Sequence, residues 1–252
     1  MQRRLLYHPS PETPSEDEVR AADLAVWPKQ GDSFRGYINQ NIPDGRPGFI
    51  VVFHGNAGTA LDREYYTRML GALGRRVLLA EYPAYGGRKG DLSEKSLVED
   101  ARATVRSAYR RFGGPVTVVG ESLGCGVATG VAADPKVPVD AILLITPWNT
   151  LPDLARKIYW FLPARWLVRD KFDNIRNLED FRGRVAVAVA EYDEVIPREM
   201  GLKLYTALPN AKRLWTFENA GHNSWHDRAG TAWWREVMGF LEGTNQSEKS
   251  LQ

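Results

Sequence analysis

Five residues constrain this chain more than any others: Gly120-Glu121-Ser122-Leu123-Gly124. The pattern G-x-S-x-G is common, and by itself it reads as a plain turn. Its flanks change that. Ahead of it stands Pro115-Val116-Thr117-Val118-Val119, a β-branched run that suits a buried strand. Behind it, residues 123–133 are small and apolar, which suits a helix pressed close against a sheet. Strand, sharp turn and helix are the setting in which a serine becomes a nucleophile exposed at the end of a strand. The glycines have a steric reason: a side chain at Gly120 or Gly124 would collide with neighbouring backbone. The helix N-terminus behind the serine favours developing negative charge.

The rest of the chain supplies a sheet for that turn to sit on. Phe49-Ile50-Val51-Val52-Phe53, Val77-Leu78-Leu79-Ala80-Glu81, Ala141-Ile142-Leu143-Leu144-Ile145 and Val185-Ala186-Val187-Ala188-Val189 are continuous apolar runs, as strands buried on both faces are. Residues 211–217 read as the last strand, and 33–39, which alternate polar and apolar, as an antiparallel or edge strand. Helices are predicted over 61–73, 93–112 with Ser93 as N-cap, and 229–241. Strands alternating with helices predict an α/β fold with a mostly parallel central sheet covered on both faces. Residues 1–30, rich in proline, read as an extended N-terminal arm, 31–242 as one domain and 243–252 as a flexible tail. Residues 147–183 are too long for a simple crossover and are predicted to form a small helical lid.

Composition removes several function classes. The 252 residues have a formal net charge of +2 and no dense basic stripe, so nothing points to nucleic acid. A single cysteine, Cys125, rules out an internal disulfide. His222 and His226 have an H-x3-H spacing but stand in a loop rather than on a helix face, which argues against zinc. No apolar run reaches the roughly 18 residues of a membrane span. Met1-Gln2-Arg3-Arg4-Leu5-Leu6-Tyr7-His8-Pro9 lacks the apolar stretch of a signal peptide, so a cytoplasmic location is expected.

A serine hydroxyl needs a base, and the base needs an orienting carboxylate. In an open parallel sheet both come from loops at the strands' C-terminal ends. Asp193 comes just after the strand 185–190, with Glu191 and Glu194 as competing carboxylates. His222 comes just after the strand ending at Phe217, with His226 as a competing base. The order Ser, Asp, His suits this architecture. His54 opens a glycine loop and reads as structural. The oxyanion formed during acyl transfer needs preset donors. The Leu123 N–H and the Asn56 N–H are the candidates, and Gly55 and Gly58 let the loop turn towards the serine.

These motifs resemble the α/β-hydrolase superfamily, and within it the branch with His-Gly-Asn-Ala-Gly after the third strand, serine aminopeptidase-like or depalmitoylase-like. The matching stretches are HGNAG (His54 to Gly58), EYPAYGGRKG (Glu81 to Gly90), GESLG, YDEVIP (Tyr192 to Pro197) and GHN (Gly221 to Asn223). Relatives tend to read Arg-Gly where Pro83-Ala84 stands. They often carry a membrane span before a segment like residues 3–9, which leaves an anchor and peripheral membrane contact open. The resemblance implies a serine hydrolase without cofactor or metal, acting on a small-molecule acyl ester. Thioesterase and peptidase activities stay open on the same scaffold, as does a silent binding scaffold. Trp148, Trp160, Phe161 and Trp166 make the insertion aromatic and are expected to wall an apolar acyl pocket.

Overall fold

A computed structural model describes residues 6–28, 34–42, 47–158, 169–209 and 211–244. The strands are β1 (His8–Pro9), β2 (Leu24–Trp27), β3 (Gly36–Asn39), β4 (Phe49–Phe53), β5 (Ala57–Gly58), β6 (Val77–Ala80), β7 (Val116–Glu121), β8 (Ala141–Ile145), β9 (Arg184–Ala190) and β10 (Lys212–Phe217). Eight form one sheet in the order β10-β9-β8-β7-β4-β6-β3-β2. From β10 to β6 every pairing is parallel, and β3 and β2 add two antiparallel strands at one edge. The chain passes from β4 to β6 on one side and later returns to β7 on the other. That switch sets the C-terminal ends of β4 and β7 side by side, the position at which open α/β sheets hold their ligands.

The helices are α1 (Glu16–Ala21), α2 (Glu64–Gly71), α3 (Glu94–Phe112), α4 (Leu123–Ala132), α5 (Leu151–Ile158), α6 (Asn174–Asn177), α7 (Arg198–Ala207) and α8 (Thr231–Glu242). Alternate residues of a strand face opposite sides of the sheet, and the run Val185-Ala186-Val187-Ala188-Val189-Ala190 of β9 shows the use made of this. Its valines join one core cluster with α3, α4 and α7. Its alanines join the other, where the small side chains leave room for Trp215, Trp225 and Trp234 beside α2 and α8.

Several boundaries differ from expectation, each for a local reason. The N-terminal arm is not simply extended. Ser15 and Glu18 close a complete capping box on α1, and β2 then pairs antiparallel with β3 to cover the sheet edge. The helix expected over 61–73 opens with a 3₁₀ turn, Leu61–Arg63, and is α-helical for Glu64–Gly71. The last strand starts one residue late because Ala211 has a φ of 34°, outside the extended region. The last helix begins at Thr231, after Gly230 in an extended N-cap conformation. Ser93 does cap α3, accepting the Ser96 N–H at 3.2 Å.

The described parts of the insertion form a closed base. Thr150 and Asp173 make an antiparallel bridge, and Leu151 N–H donates to the Lys171 carbonyl at 3.0 Å. This base rests on α4. A Cβ at Gly126 would stand 2.4 Å from the Phe172 ring, so glycine there lets the two segments touch. Leu151 and Leu154 are buried in the cluster shared with α4.

Candidate active site

The elbow is built as its glycines require. Ser122 has φ 52° and ψ −115°, a backbone conformation non-glycine residues seldom adopt. A Cβ at Gly120 would lie 2.5 Å from the Gly124 carbonyl oxygen, and one at Gly124 would lie 1.9 Å from the Phe53 carbonyl oxygen. The close approach at Gly124 presses the first turn of α4 onto the end of β4. Ser122 occupies the N-cap position of α4, yet its side chain caps nothing. Its hydroxyl instead lies 3.0 Å from His222 Nε2.

His222 arrives from a residue 100 positions away. Two backbone bonds carry the β9–β10 ladder past the strand ends: Glu191 N–H to the Phe217 carbonyl at 3.1 Å, and Tyr192 N–H to the Ala220 carbonyl at 2.9 Å. The loops therefore stay side by side, and Asp193 meets the imidazole. Its two carboxylate oxygens lie 3.0 and 2.9 Å from His222 Nδ1. The Asp193 carboxylate is fixed in turn by the N–H groups of Val195 at 3.0 Å and Ile196 at 2.7 Å.

The competing residues have other partners. Glu191 accepts the Asn219 N–H at 2.9 Å. Glu194 accepts the His222 N–H at 3.0 Å, a bond that holds its carboxyl below the usual glutamate range. His226 pairs with the neighbouring Asp227 at 3.0 Å, and nearly half of its side chain is exposed. Ser122, Asp193 and His222 come together; Glu191, Glu194 and His226 do not join them.

The loop after β4 borders the serine, since a Cβ at Gly55 would lie 3.7 Å from Ser122 Cβ. Leu123 N–H belongs to the first residue of a helix, which has no intrahelical acceptor. Among the described residues neither it nor the Asn56 N–H has a hydrogen-bond acceptor. The Asn56 side chain is occupied, donating to the Leu6 carbonyl at 3.0 Å. His54 is buried and lies with Nε2 3.1 Å from Glu81 Oε1 and Nδ1 2.8 Å from the Gly55 carbonyl oxygen.

Two supporting groups escaped the reading of the sequence. Glu121, the second letter of the elbow motif, accepts from Tyr65 at 2.6 Å, Tyr66 at 2.9 Å and Arg63 Nε at 3.2 Å. Burial and the Glu121 carboxylate push both tyrosine hydroxyls upward, so they remain donors. A charged residue ending a buried strand was the available signal. Glu81 is the other: besides His54 it accepts the Ala60 N–H at 2.9 Å. The loop holding Pro83-Ala84 braces the one after β4: Tyr82 and Tyr85 donate to the carbonyls of His54 and Asn56 at 2.7 and 2.8 Å.

The aromatic insertion divides. Trp148 is 2% exposed, packs on Phe172 and donates its indole N–H to the Phe172 carbonyl at 3.2 Å, which gives the ring to the core rather than to an open pocket. Trp160, Phe161 and Trp166 lie outside the described residues. Among the described residues no three metal-ligating side chains come together, and no helix is long and apolar enough to cross a membrane.

Known proteins resemble this chain in sequence and in fold. An uncharacterized protein of Mycobacterium tuberculosis (strain ATCC 25618 / H37Rv) is 32% identical over 232 residues, covering 88% of this chain and 80% of that one. The lysophosphatidylserine lipase ABHD12 of Gallus gallus is 31% identical over 200 residues, 72% of this chain and 52% of that protein, so the chain spans about half its length. An esterase of Pyrococcus furiosus superposes with a TM-score of 0.71 at 15% identity, covering 94% of this chain and 97% of that one, and speaks for the fold. The family model described as "Alpha/beta hydrolase family" matches residues 50–235, most of the sheet and all of the site, and the chain belongs to that family.

Proposed function

We propose that this hydrolase cleaves acyl esters with Ser122 as nucleophile, His222 as base and Asp193 as its orienting carboxylate. The observation that carries the reading is the unbroken relay of contacts: Ser122 Oγ to His222 Nε2 at 3.0 Å, and His222 Nδ1 to Asp193 at 2.9 Å. In this reading Nδ1–H donates to Asp193, which leaves Nε2 to accept the serine proton. Ser122 Oγ bonds to the ester carbonyl carbon while its proton passes to His222. The carbonyl oxygen becomes an oxyanion facing the N–H groups of Leu123 and Asn56. Collapse breaks the bond to the alcohol, which leaves with the proton from His222. Water then gives its proton to His222 and attacks the acyl-serine, releasing the acid and restoring the hydroxyl. The steps balance without a cofactor.

A lipid or other apolar acyl ester is favoured over a peptide. The support is the ABHD12 relative named as a lysophosphatidylserine lipase and the aromatic content of the insertion. Trp160, Phe161 and Trp166 are proposed to wall the acyl pocket. A buried methylene is worth about 0.8 kcal/mol, so each one reaching that wall raises kcat/KM up to a few-fold. The test is labelling with a fluorophosphonate, then kcat/KM across p-nitrophenyl esters of rising chain length. Labelling of wild type but not of Ser122→Ala is expected. A shifted optimum in at least one of Trp160→Ala, Phe161→Ala and Trp166→Ala is expected as well. An unlabelled wild type sinks the reading, and three unshifted profiles sink the lid.

A further inference from the structure

The proton relay makes no use of residues 6–9, yet they are fastened to the loop beside it. β1 runs parallel to β5, with His8 opposite Ala57 and Pro9 opposite Gly58. The pairing starts at Asn56, whose carbonyl accepts the His8 N–H at 2.9 Å and the Tyr85 hydroxyl at 2.8 Å. The Asn56 side chain reaches back to the Leu6 carbonyl at 3.0 Å. One peptide earlier, the Gly55 carbonyl faces His54 Nδ1 at 2.8 Å. A trans peptide is planar, with N–H and C=O pointing opposite ways. Holding the Gly55 carbonyl towards His54 therefore turns the Asn56 N–H away from His54. The bonds from residues 6–9 and Tyr85 then fix the Asn56 side chain and carbonyl, so the residue is held at both of its peptides.

The segment has its own anchor. Tyr7 is 2% exposed, and its hydroxyl donates to Asp170 Oδ2 at 3.0 Å. The other Asp170 oxygen accepts the Glu94 N–H at 3.1 Å, and the Glu94 carboxylate accepts the Lys171 N–H at 2.6 Å. Burial, and then the Asp170 charge, push the Tyr7 hydroxyl far above its ordinary range, so it stays a donor at any working pH. One end of the segment thus holds the loop beside Ser122, and its middle is pinned to the returning arm of the insertion.

We propose that residues 6–9 are a strap that positions the Asn56 N–H for the oxyanion, with Tyr7 as its anchor. This rests on the reading of Asn56 as an oxyanion donor. A positioning strap acts on the transition state and leaves substrate binding alone, so its loss lowers kcat with KM nearly unchanged.

The test uses the whole chain and one backbone hydrogen bond. His8→Pro removes the N–H that Asn56 accepts, and His8→Ala keeps it. With p-nitrophenyl butyrate, kcat of His8→Pro should fall about tenfold below that of His8→Ala with KM within about twofold, since a misplaced donor costs less than a deleted one. The Ki of a trifluoromethyl ketone, which forms an oxyanion on the serine, should rise in step. Amide exchange of the peptide spanning residues 54–58 should quicken in His8→Pro only. Equal kcat in the two folded variants overturns the strap, as does faster exchange with kcat unchanged. If His8→Pro does not fold, Tyr7→Phe carries the same test with a drop of about threefold, in keeping with loss of one hydrogen bond, and an unchanged kcat there overturns the proposal. A wild type that turns over no ester overturns the proposed function instead, and unchanged exchange would then reject the strap independently.

Discussion

Two buried histidines each face a carboxylate at about hydrogen-bond distance, and their surroundings differ. His54 and Glu81 are 3.1 Å apart with side chains 1% and 0% exposed. His222 and Asp193 are 2.9 Å apart at 9% and 2%. Neither pairing nor burial tells them apart. The second ring nitrogen does. In His54 it meets the Gly55 carbonyl, an acceptor with no proton to give. In His222 it meets the Ser122 hydroxyl, which has one. The first arrangement joins two loops through hydrogen bonds; the second sets a ring nitrogen against a hydroxyl whose proton it can take. A carboxylate faces an imidazole in both, so the group on the far side is what separates the proposed base from the proposed scaffold.

The sharpest way to break this comparison is to remove each histidine. His222→Ala and Ser122→Ala should each lower kcat by roughly 10⁴ to 10⁶ in a folded protein. His54→Gln should lower kcat by less than about 10², because in the proposed mechanism it disturbs one oxyanion donor rather than the proton transfer. Its larger effect should be on stability, a loss of about 1–3 kcal/mol in urea unfolding, since Glu81 loses a buried hydrogen-bond partner. Equal kinetic losses at the two positions would erase the distinction. The carboxylates should rank in the same order. Asp193→Asn should cost on the order of 10⁴ in kcat with the fold intact. A mild loss would hand the role to Glu191 or Glu194.

A smaller effect is expected at Asn56, whose N–H is the proposed second oxyanion donor. Asn56→Ala keeps the backbone N–H and loses only the bond to Leu6, so kcat should drop by less than about 10². A steeper loss would make the side chain the oxyanion donor. Here the measurement of kcat decides between the two groups of one residue.

The sheet and the elbow were legible because their signals are local and steric. Apolar runs such as Phe49–Phe53 become buried strands in any α/β setting. Gly120 and Gly124 announce a backbone contact that no other residue tolerates. Asp193 and His222 were legible by position, each just past a strand end. The supporting groups were hidden for a different reason. Glu81, Glu121 and Asp170 look like ordinary acids in sequence, and their partners His54, Tyr65, Tyr66 and Tyr7 lie 27 to 163 positions away. Nothing periodic links them. The capping box of α1, Ser15 with Glu18, is by contrast a local pattern that the proline-rich reading of the arm passed over.

The smallest effect should appear at Glu194, and it separates the two histidines by how each is tethered. His54 is gripped through its ring, which packs 4.2 Å from the Tyr82 ring centroid in the interior. His222 is gripped through its main chain as well, by a Glu194 carboxylate that is mostly exposed. That bond favours the ionised form and lowers the Glu194 pKa on folding. A depressed carboxyl stabilises the fold above its unfolded value, and the contribution fades as pH falls through the folded value. Glu194→Gln should therefore lower Tm slightly at neutral pH, by no more than about 2 °C for an exposed group in a chain of this size. The gap should close below the ordinary glutamate range near pH 4. In the same variant kcat should fall no more than about threefold, since Asp193 still orients the ring. His54 has no such exposed tether: its ring faces a fully buried Glu81 carboxylate, so Glu81→Gln should lower Tm at neutral pH by more than Glu194→Gln does. A Glu194→Gln gap that persists unchanged at about pH 3.5, below the ordinary glutamate value, would show that the side chain matters for packing and not for its charge, and would put the two histidines on one footing.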